Sequence, residues 1–292
     1  MPSAMLEAVP HLSDRHFRSI AELVEAEVGI KLPASKRLML EGRLQKRVRV
    51  LNYSDVNEYV EHLFDADHFE AELVHLIDCV TTNKTDFFRE PTHFEFLTKT
   101  ALPQLCADKL GADKLATLTR PILVWCAGCS TGEEAYTLAI VLNEYALAHP
   151  GFRFKILATD LCTRVLEKAN LAIYDSDTVE PVAADLRHKY FVRSRDPNDN
   201  QVRVVSELRD HVEFRRLNFM EPDYNIGAIA DVIFCRNVII YFDRTTQEQV
   251  LQKLARCLIP NGHLFLGHSE TLHGLNVPLT PIAPALYRKS HG

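Results

Sequence analysis

The stretch Ile122-Leu123-Val124-Trp125-Cys126-Ala127-Gly128-Cys129-Ser130-Thr131-Gly132-Glu133-Glu134 decides the fold. It reads as a buried strand, a turn carrying two glycines, and the start of a helix that continues through Ala135 to Tyr145. A glycine turn between a parallel strand and a helix lets a ligand approach the backbone closely. A helix start favours an anion, but Glu133 and Glu134 already occupy that field. The pair suits a ligand with an ammonium group and hydroxyls, and S-adenosylmethionine (SAM) has both. An ordinary strand-turn-helix with acids in its first turn fits the motif alone equally well.

Working outward, strands are predicted at Ile122–Cys126, Phe154–Thr159, Val212–Leu217, Asp231–Cys235 and His263–Gly267. Helices are predicted at Gly132–Ala148, Arg164–Ala172 and Thr245–Leu258, with Pro260-Asn261-Gly262 as a turn. This alternation predicts an α/β domain with a doubly wound, mostly parallel sheet. Tyr190-Phe191-Val192 and Gln201 to Val205 flank the polar loop Arg195 to Asn200, which reads as an inserted antiparallel hairpin.

The first 80 or so residues read as all helical. Phe17, Ile20, Ala21, Val24 and Val28 follow helical spacing after the cap Ser13-Asp14. Further helices are predicted over Ser35 to Leu51, after Ser54, and around Phe69, Leu73, Leu76 and Val80. The second is basic. At 100° per residue Lys36, Arg43 and Arg47 share an arc of about 40°. Such a stripe is either a solvated face or a dock for an acidic partner.

At 292 residues the chain suits two cores, and 47% hydrophobic with 25% charged content is ordinary for a globular protein. Net charge −6 points away from a nucleic-acid partner. No apolar run approaches the roughly 20 residues that cross a bilayer. Met1 to Asp14 lacks the pattern of a signal peptide, and seven scattered cysteines fit reduced thiols, so a cytoplasmic location is expected. Cys126 and Cys129 form a lone CxxC without the second pair of a zinc site, so no metal is expected.

Polar residues recur at the predicted strand ends. Asp160 after the second strand fits a ribose acceptor or a helix cap. Asn218 of Leu217-Asn218-Phe219 fits an adenine edge or a turn. Arg236-Asn237 ends the fourth strand, where ligands bind such sheets, with Tyr241 and Phe242 following. Thr81 to Pro91 is a donor-rich segment between the two domains. Gly267-His268-Ser269-Glu270 reads as a loop that shapes the pocket, since triad members are rarely sequence neighbours.

Together these residues resemble the chemotaxis receptor methyltransferases, the CheR family, over about Phe17 to Tyr287. Four segments carry the resemblance in order: Thr81 to Glu90, Gly128 to Glu134, Phe234 to Phe242, and Gly267 to Glu270. The resemblance implies a helical receptor-docking domain over 1–80 and a linker over 81–92 that contributes to the cofactor site. It implies a Rossmann-like SAM-dependent methyltransferase domain over 93–292, with a β-subdomain near 186–211. The implied reaction turns receptor glutamates into methyl esters and leaves S-adenosylhomocysteine. Asn83, Thr85, Arg89, Gly128, Glu133, Glu134, Asp160, Asn218, Phe219, Arg236 and Asn237 would line the cofactor site. Either Glu133 or Glu134 would hold the methionyl amine. Arg89 and Tyr241 would face the methyl group and the acceptor, and Lys36, Arg43 and Arg47 would dock the receptor's cytoplasmic methylation helices. The loop Arg195 to Asn200 lacks the glycines of relatives that grip a receptor C-terminal peptide, so no such tether is expected. Recruitment to membrane receptor arrays, without insertion, follows from the same resemblance. Two rivals are a methyltransferase for nucleic acid or amide nitrogen, which lacks support because no prolines follow Asn237, and a non-catalytic SAM- or nucleotide-binding adaptor.

Overall fold

The computed structural model describes residues 11–65, 69–110, 120–196, 198–227 and 229–290. The first ten residues of the stretch read for a signal peptide, and Pro197 of the polar loop, lie outside the described residues. The chain divides into a helical unit up to Thr82 and an α/β unit from Asn83.

The helical unit holds α1 (Asp14–Val28), α2 (Arg37–Leu51), α3 (Val56–Leu63) and α4 (Phe69–Val80). Ser13 caps α1 by accepting from the His16 backbone, and Asp55 caps α3 through Asn57 and Glu58. Each such cap is worth about 1 kcal/mol. Gly29 ends α1 in the left-handed conformation at φ 71°. Ile20, Val24, Leu40, Leu44, Val56, Tyr59 and Leu76 form the buried centre, the apolar positions that helical spacing picks out.

The α/β unit opens with α5 (Thr92–Phe96) and α6 (Leu102–Leu110), joined by a π-helical turn. Then follow β1 (Ile122–Ala127), α7 (Glu133–Ala148), β2 (Phe154–Asp160), α8 (Thr163–Leu171) and β3 (Ile173–Asp175). Next come α9 (Ala184–Tyr190), β4 (Phe191–Arg193), β5 (Gln201–Val204), α10 (Ser206–Arg209) and β6 (Val212–Arg216). The last elements are β7 (Ala230–Cys235), α11 (Arg244–Arg256), β8 (Leu258–Leu266), β9 (Leu279–Ala283) and β10 (Leu286–Lys289).

Seven strands form one sheet in the order β6-β2-β1-β7-β8-β10-β9. The first five run parallel, and β10 and β9 continue antiparallel. Chain order reverses between β1 and β7. Right-handed crossovers then put the helices after β1 and after β7 on opposite faces, which is the doubly wound arrangement. β7 is buried at every position, as a strand covered on both faces must be. Phe234 stacks on Phe265 at 4.2 Å across the β7–β8 pair.

All five predicted strands are present, but β9 and β10 were not foreseen. The predicted hairpin is a three-stranded sheet, because β3 pairs with β5 on the side away from β4. Pro260-Asn261-Gly262 lies inside β8 as an irregularity rather than before it. Asn261, at φ 62°, supplies the left-handed residue such a bulge uses.

Candidate functional site

The carboxyl ends of β1 and β7 lie side by side at the reversal point, where α/β sheets bind ligands. The turn after β1 is locked there by protein contacts. Gly128 has φ 89°, and a Cβ on it would sit 2.4 Å from Val238 Cγ2 of the loop after β7. Gly132 has φ 96°, and its Cβ would meet Ala169 Cβ and Tyr174 Oη, each at 2.9 Å. The chain's own side chains therefore require both glycines. That packing reason stands beside the expectation that the glycines let a ligand approach the backbone.

Asp160 at the end of β2 fastens this turn. Its Oδ2 accepts from the Ser130 backbone at 2.8 Å and its Oδ1 from the Cys162 backbone at 3.0 Å. Ser130 Oγ donates to the Asn83 carbonyl at 2.9 Å, and Asn83 Nδ2 reaches Cys162 Sγ at 3.7 Å. Thus Asn83 is drawn to the β1 and β2 ends. Thr85 lies half-buried in the same segment.

Arg236, directly after β7, is the centre of the site and is 5% exposed. Its Nη2 donates to the Arg89 carbonyl and lies 3.2 Å from Glu90 Oε2. Its Nη1 lies 3.2 Å from Glu134 Oε2. The guanidinium also stands 5.5 Å over the Phe94 ring. One side chain therefore joins the β7 end, the 83–92 segment and the first turn of α7. Phe88 and Glu90, on either side of Arg89, have φ 53° and 56°. Two left-handed residues around one arginine store strain of the kind that collects at functional sites.

The two acids of the turn separate. Glu134 Oε1 accepts from Cys126 Sγ at 3.2 Å, and its other oxygen faces Arg236. Burial raises its pKa, and the Arg236 charge opposes that rise. Glu133 instead accepts from Thr131 Oγ1 at 2.6 Å, with Lys168 and Asp86 as its charged neighbours, and burial raises its pKa too.

Asn237 is held at φ 59°, and its amide fills the space where Gly267 lacks a side chain. The buried carboxylate of Glu270 organises this loop. It accepts from the backbones of Asn237 at 2.8 Å, Ile239 at 2.9 Å and Gly267 at 2.6 Å. Burial raises its pKa against those backbone donors. Tyr241 ends the 3₁₀ turn Ile239–Tyr241 that Glu270 starts. Asn218 spends its Oδ1 on a turn, accepting from the Met220 backbone at 3.0 Å. Phe219 lies edge-on to Phe242 at 6.4 Å.

Glu90 was not singled out from sequence, its only signal being an acid at the end of a quoted segment. Glu270 was read only as part of the pocket-shaping loop Gly267 to Glu270, not as the acid that organises it. Lys36, Arg43 and Arg47 belong to the helical unit. There Arg43 Nη1 donates to the carbonyls of Cys79 at 3.0 Å and Thr81 at 2.8 Å. Arg47 forks onto Glu72, with Nε at 3.1 Å, which raises the arginine's pKa and lowers the acid's.

The family model for the SAM-binding domain of CheR methyltransferases matches residues 83–283, and that for their all-alpha domain matches 15–81. The chain belongs to the CheR methyltransferase family. It is 40% identical to a chemotaxis protein methyltransferase of Salmonella typhimurium over 90% of this chain and 86% of that one. It is 37% identical to that of Escherichia coli over 96% and 92%. It is 39% identical to chemotaxis protein methyltransferase 2 of Pseudomonas aeruginosa over 89% and 88%. These relatives are named as enzymes, which does not favour the adaptor reading. Among the described residues no helix is long and apolar enough to cross a membrane.

Proposed function

We propose that this chain transfers a methyl group from SAM to glutamate side chains of methyl-accepting chemotaxis receptors, forming methyl esters. The observation that carries the reading is the buried Arg236, forked between Glu90 and Glu134 at the β1–β7 reversal. Arg236 Nε and Nη1 are buried without a hydrogen bond, although Glu134 is near. A methionyl head group brings a carboxylate for such a donor and an ammonium for Glu134, so the residues fit it. We assign the ammonium to Glu134 rather than Glu133, because Glu133 is directed toward Thr131 and Lys168. Asp160 would accept from the ribose, and Asn218 and Phe219 would border the adenine. Asn83, Thr85, Gly128 and Asn237 would complete the wall.

SAM, when bound, supplies an electrophilic methyl on a sulfonium. A glutamate has a reference pKa of about 4.3 and arrives ionised, so no general base is needed. The protein's task is alignment and exclusion of water, which would otherwise stabilise the separated charges. Arg89 would orient the incoming carboxylate, and Tyr241 would shape its approach. A single arginine contact leaves the carboxylate nucleophilic, whereas a bidentate clamp would blunt it.

The basic stripe of α2 would dock the acidic methylation helices, placing the enzyme in the cytoplasm at receptor arrays. Arg43 and Arg47 would do so while engaged within their own unit. Lys36→Glu should raise the receptor KM and leave SAM affinity unchanged. The loop after β4 would give no grip on a receptor tail, and titration with a tail peptide should show no tight binding. The decisive assay is transfer of labelled methyl from SAM to receptor-containing membranes. Label released by alkali as methanol establishes the ester, and alkali-stable label removes the glutamate assignment.

A further inference from the structure

Beside Arg236 three potential metal ligands converge. Glu90 precedes α5, His93 lies on α5, and His268 follows β8. Their ligand atoms all lie within 4.8 Å of one another. Glu90 Oε2 stands 3.5 Å from His93 Nδ1 and 4.0 Å from His268 Nε2. The two imidazoles meet edge to face at 4.9 Å between ring centres. His268 also fixes the carboxylate, since its backbone N–H donates to Glu90 Oε1 at 3.3 Å.

His93 is only 2% exposed, and neither ring nitrogen makes a hydrogen bond. Glu90 Oε2 is likewise buried without one, though it pairs electrostatically with Arg236 at 3.2 Å. Buried polar atoms normally find a hydrogen bond or an ion. Methyl transfer as described above makes no use of either histidine.

The geometry points to a binding site for one divalent transition-metal ion of the Zn²⁺ class, ligated by Glu90, His93 and His268. Two imidazoles and a carboxylate select this class, whereas Mg²⁺ and Ca²⁺ demand oxygen. Tetrahedral bonds of about 2.0–2.1 Å place ligand atoms about 3.3 Å apart, close to the present 3.5 Å between Glu90 and His93. His268, with a side chain 54% exposed, is the ligand that closes the remaining distance and opens the site to solvent.

The ion and Arg236 compete for the same Glu90 oxygen. Before binding, Arg236 is balanced by Glu90 and Glu134; afterwards it keeps Glu134 alone. On the proposed role of Arg236 at the methionyl group, occupancy therefore lowers methyl transfer. The metal site itself does not depend on that role.

Titration of the full chain with Co²⁺, followed by visible absorption, tests the site without an activity assay. One equivalent should bind with d–d bands of nitrogen and oxygen ligation. His268→Ala should weaken binding by more than about tenfold, the scale on which even outer partners of metal ligands act. His273→Ala, at an exposed histidine elsewhere, should leave it unchanged. Circular dichroism checks that both variants fold. The same Co²⁺ should slow methyl transfer by the wild type and not further slow that by His268→Ala. No d–d bands, an intense sulfur-to-cobalt band, or equal binding by His268→Ala would overturn the site. Binding with unchanged methyl transfer would overturn only the link to Arg236.

Discussion

Arg236 and Glu90 face each other at 3.2 Å, and the same guanidinium reaches Glu134 at 3.2 Å through its other terminal nitrogen. The strand β7, the segment before α5 and the start of α7 are thereby joined by one cation. A planar fork can serve three acceptors at fixed angles, and an ammonium cannot. Arg236→Lys should fold but bind SAM more than tenfold more weakly, as measured by calorimetry. Arg236→Leu leaves two largely buried carboxylates, Glu90 and Glu134, without the cation they share. It should cost about 3–5 kcal/mol in urea unfolding, the usual penalty for breaking a buried ion pair from one side.

Arg89 is the contrasting case. Its carbonyl is held by Arg236, while its guanidinium, on a half-buried residue, donates to the Lys84 carbonyl at 3.2 Å. Arg89→Ala should keep the backbone contact and lose the group proposed to orient the acceptor. Turnover should then fall far more than SAM affinity. Equal losses in both would remove Arg89 from the acceptor side.

Gly128 and Val238 meet where β1 and β7 end. Gly128→Ala places a methyl 2.4 Å from Val238 Cγ2 and forces an alanine to φ 89°. Both effects destabilise, together by roughly 1–3 kcal/mol. Val238→Ala in the same chain should recover the steric part and leave the backbone part. A double-mutant cycle by urea unfolding reads the coupling. Additive effects would mean that the loop after β7 shifts aside without cost.

The buried strands themselves were legible because β1, β2, β7 and β8 carry apolar runs bounded by turn residues, whereas their order in the sheet was not. The cap residue Ser13 was legible for an equally local reason. β9 was not. It is an edge strand with Pro281 in its middle, tolerable only because no further strand pairs on its outer side. At the site, sequence marked Arg236 but could not show that Glu90 and Glu134 hold it. Those contacts join segments that only the fold brings together. The basic stripe of α2 was read by charge and spacing alone. That reading could not foresee that Arg43 donates to the end of α4 and Arg47 to Glu72.

His263 gives a pH test within the α/β unit. It lies on β8, is 2% exposed, and neither ring nitrogen is hydrogen-bonded. Burial holds its pKa down at about 4 from an ordinary 6.5, with the Arg288 charge acting in the same direction and Asp108 against it. Arg288 is its partner on β10, and Phe96 packs against its ring at 6.2 Å. Between about pH 4 and 6.5 the unfolded chain therefore binds a proton here that the folded chain does not. Stability contributed at this site must rise with pH across that window and be lost as pH falls through it. The full difference amounts to roughly 3 kcal/mol. Glu134 and Glu270, whose pKa values are raised by burial, act with the opposite sign above their ordinary 4.5. Only the difference between variants isolates the histidine. His263→Leu should flatten the rise in urea stability from pH 4.5 to 6.5 relative to wild type. Parallel curves for the two proteins would show that burial does not hold the His263 pKa down in the folded chain.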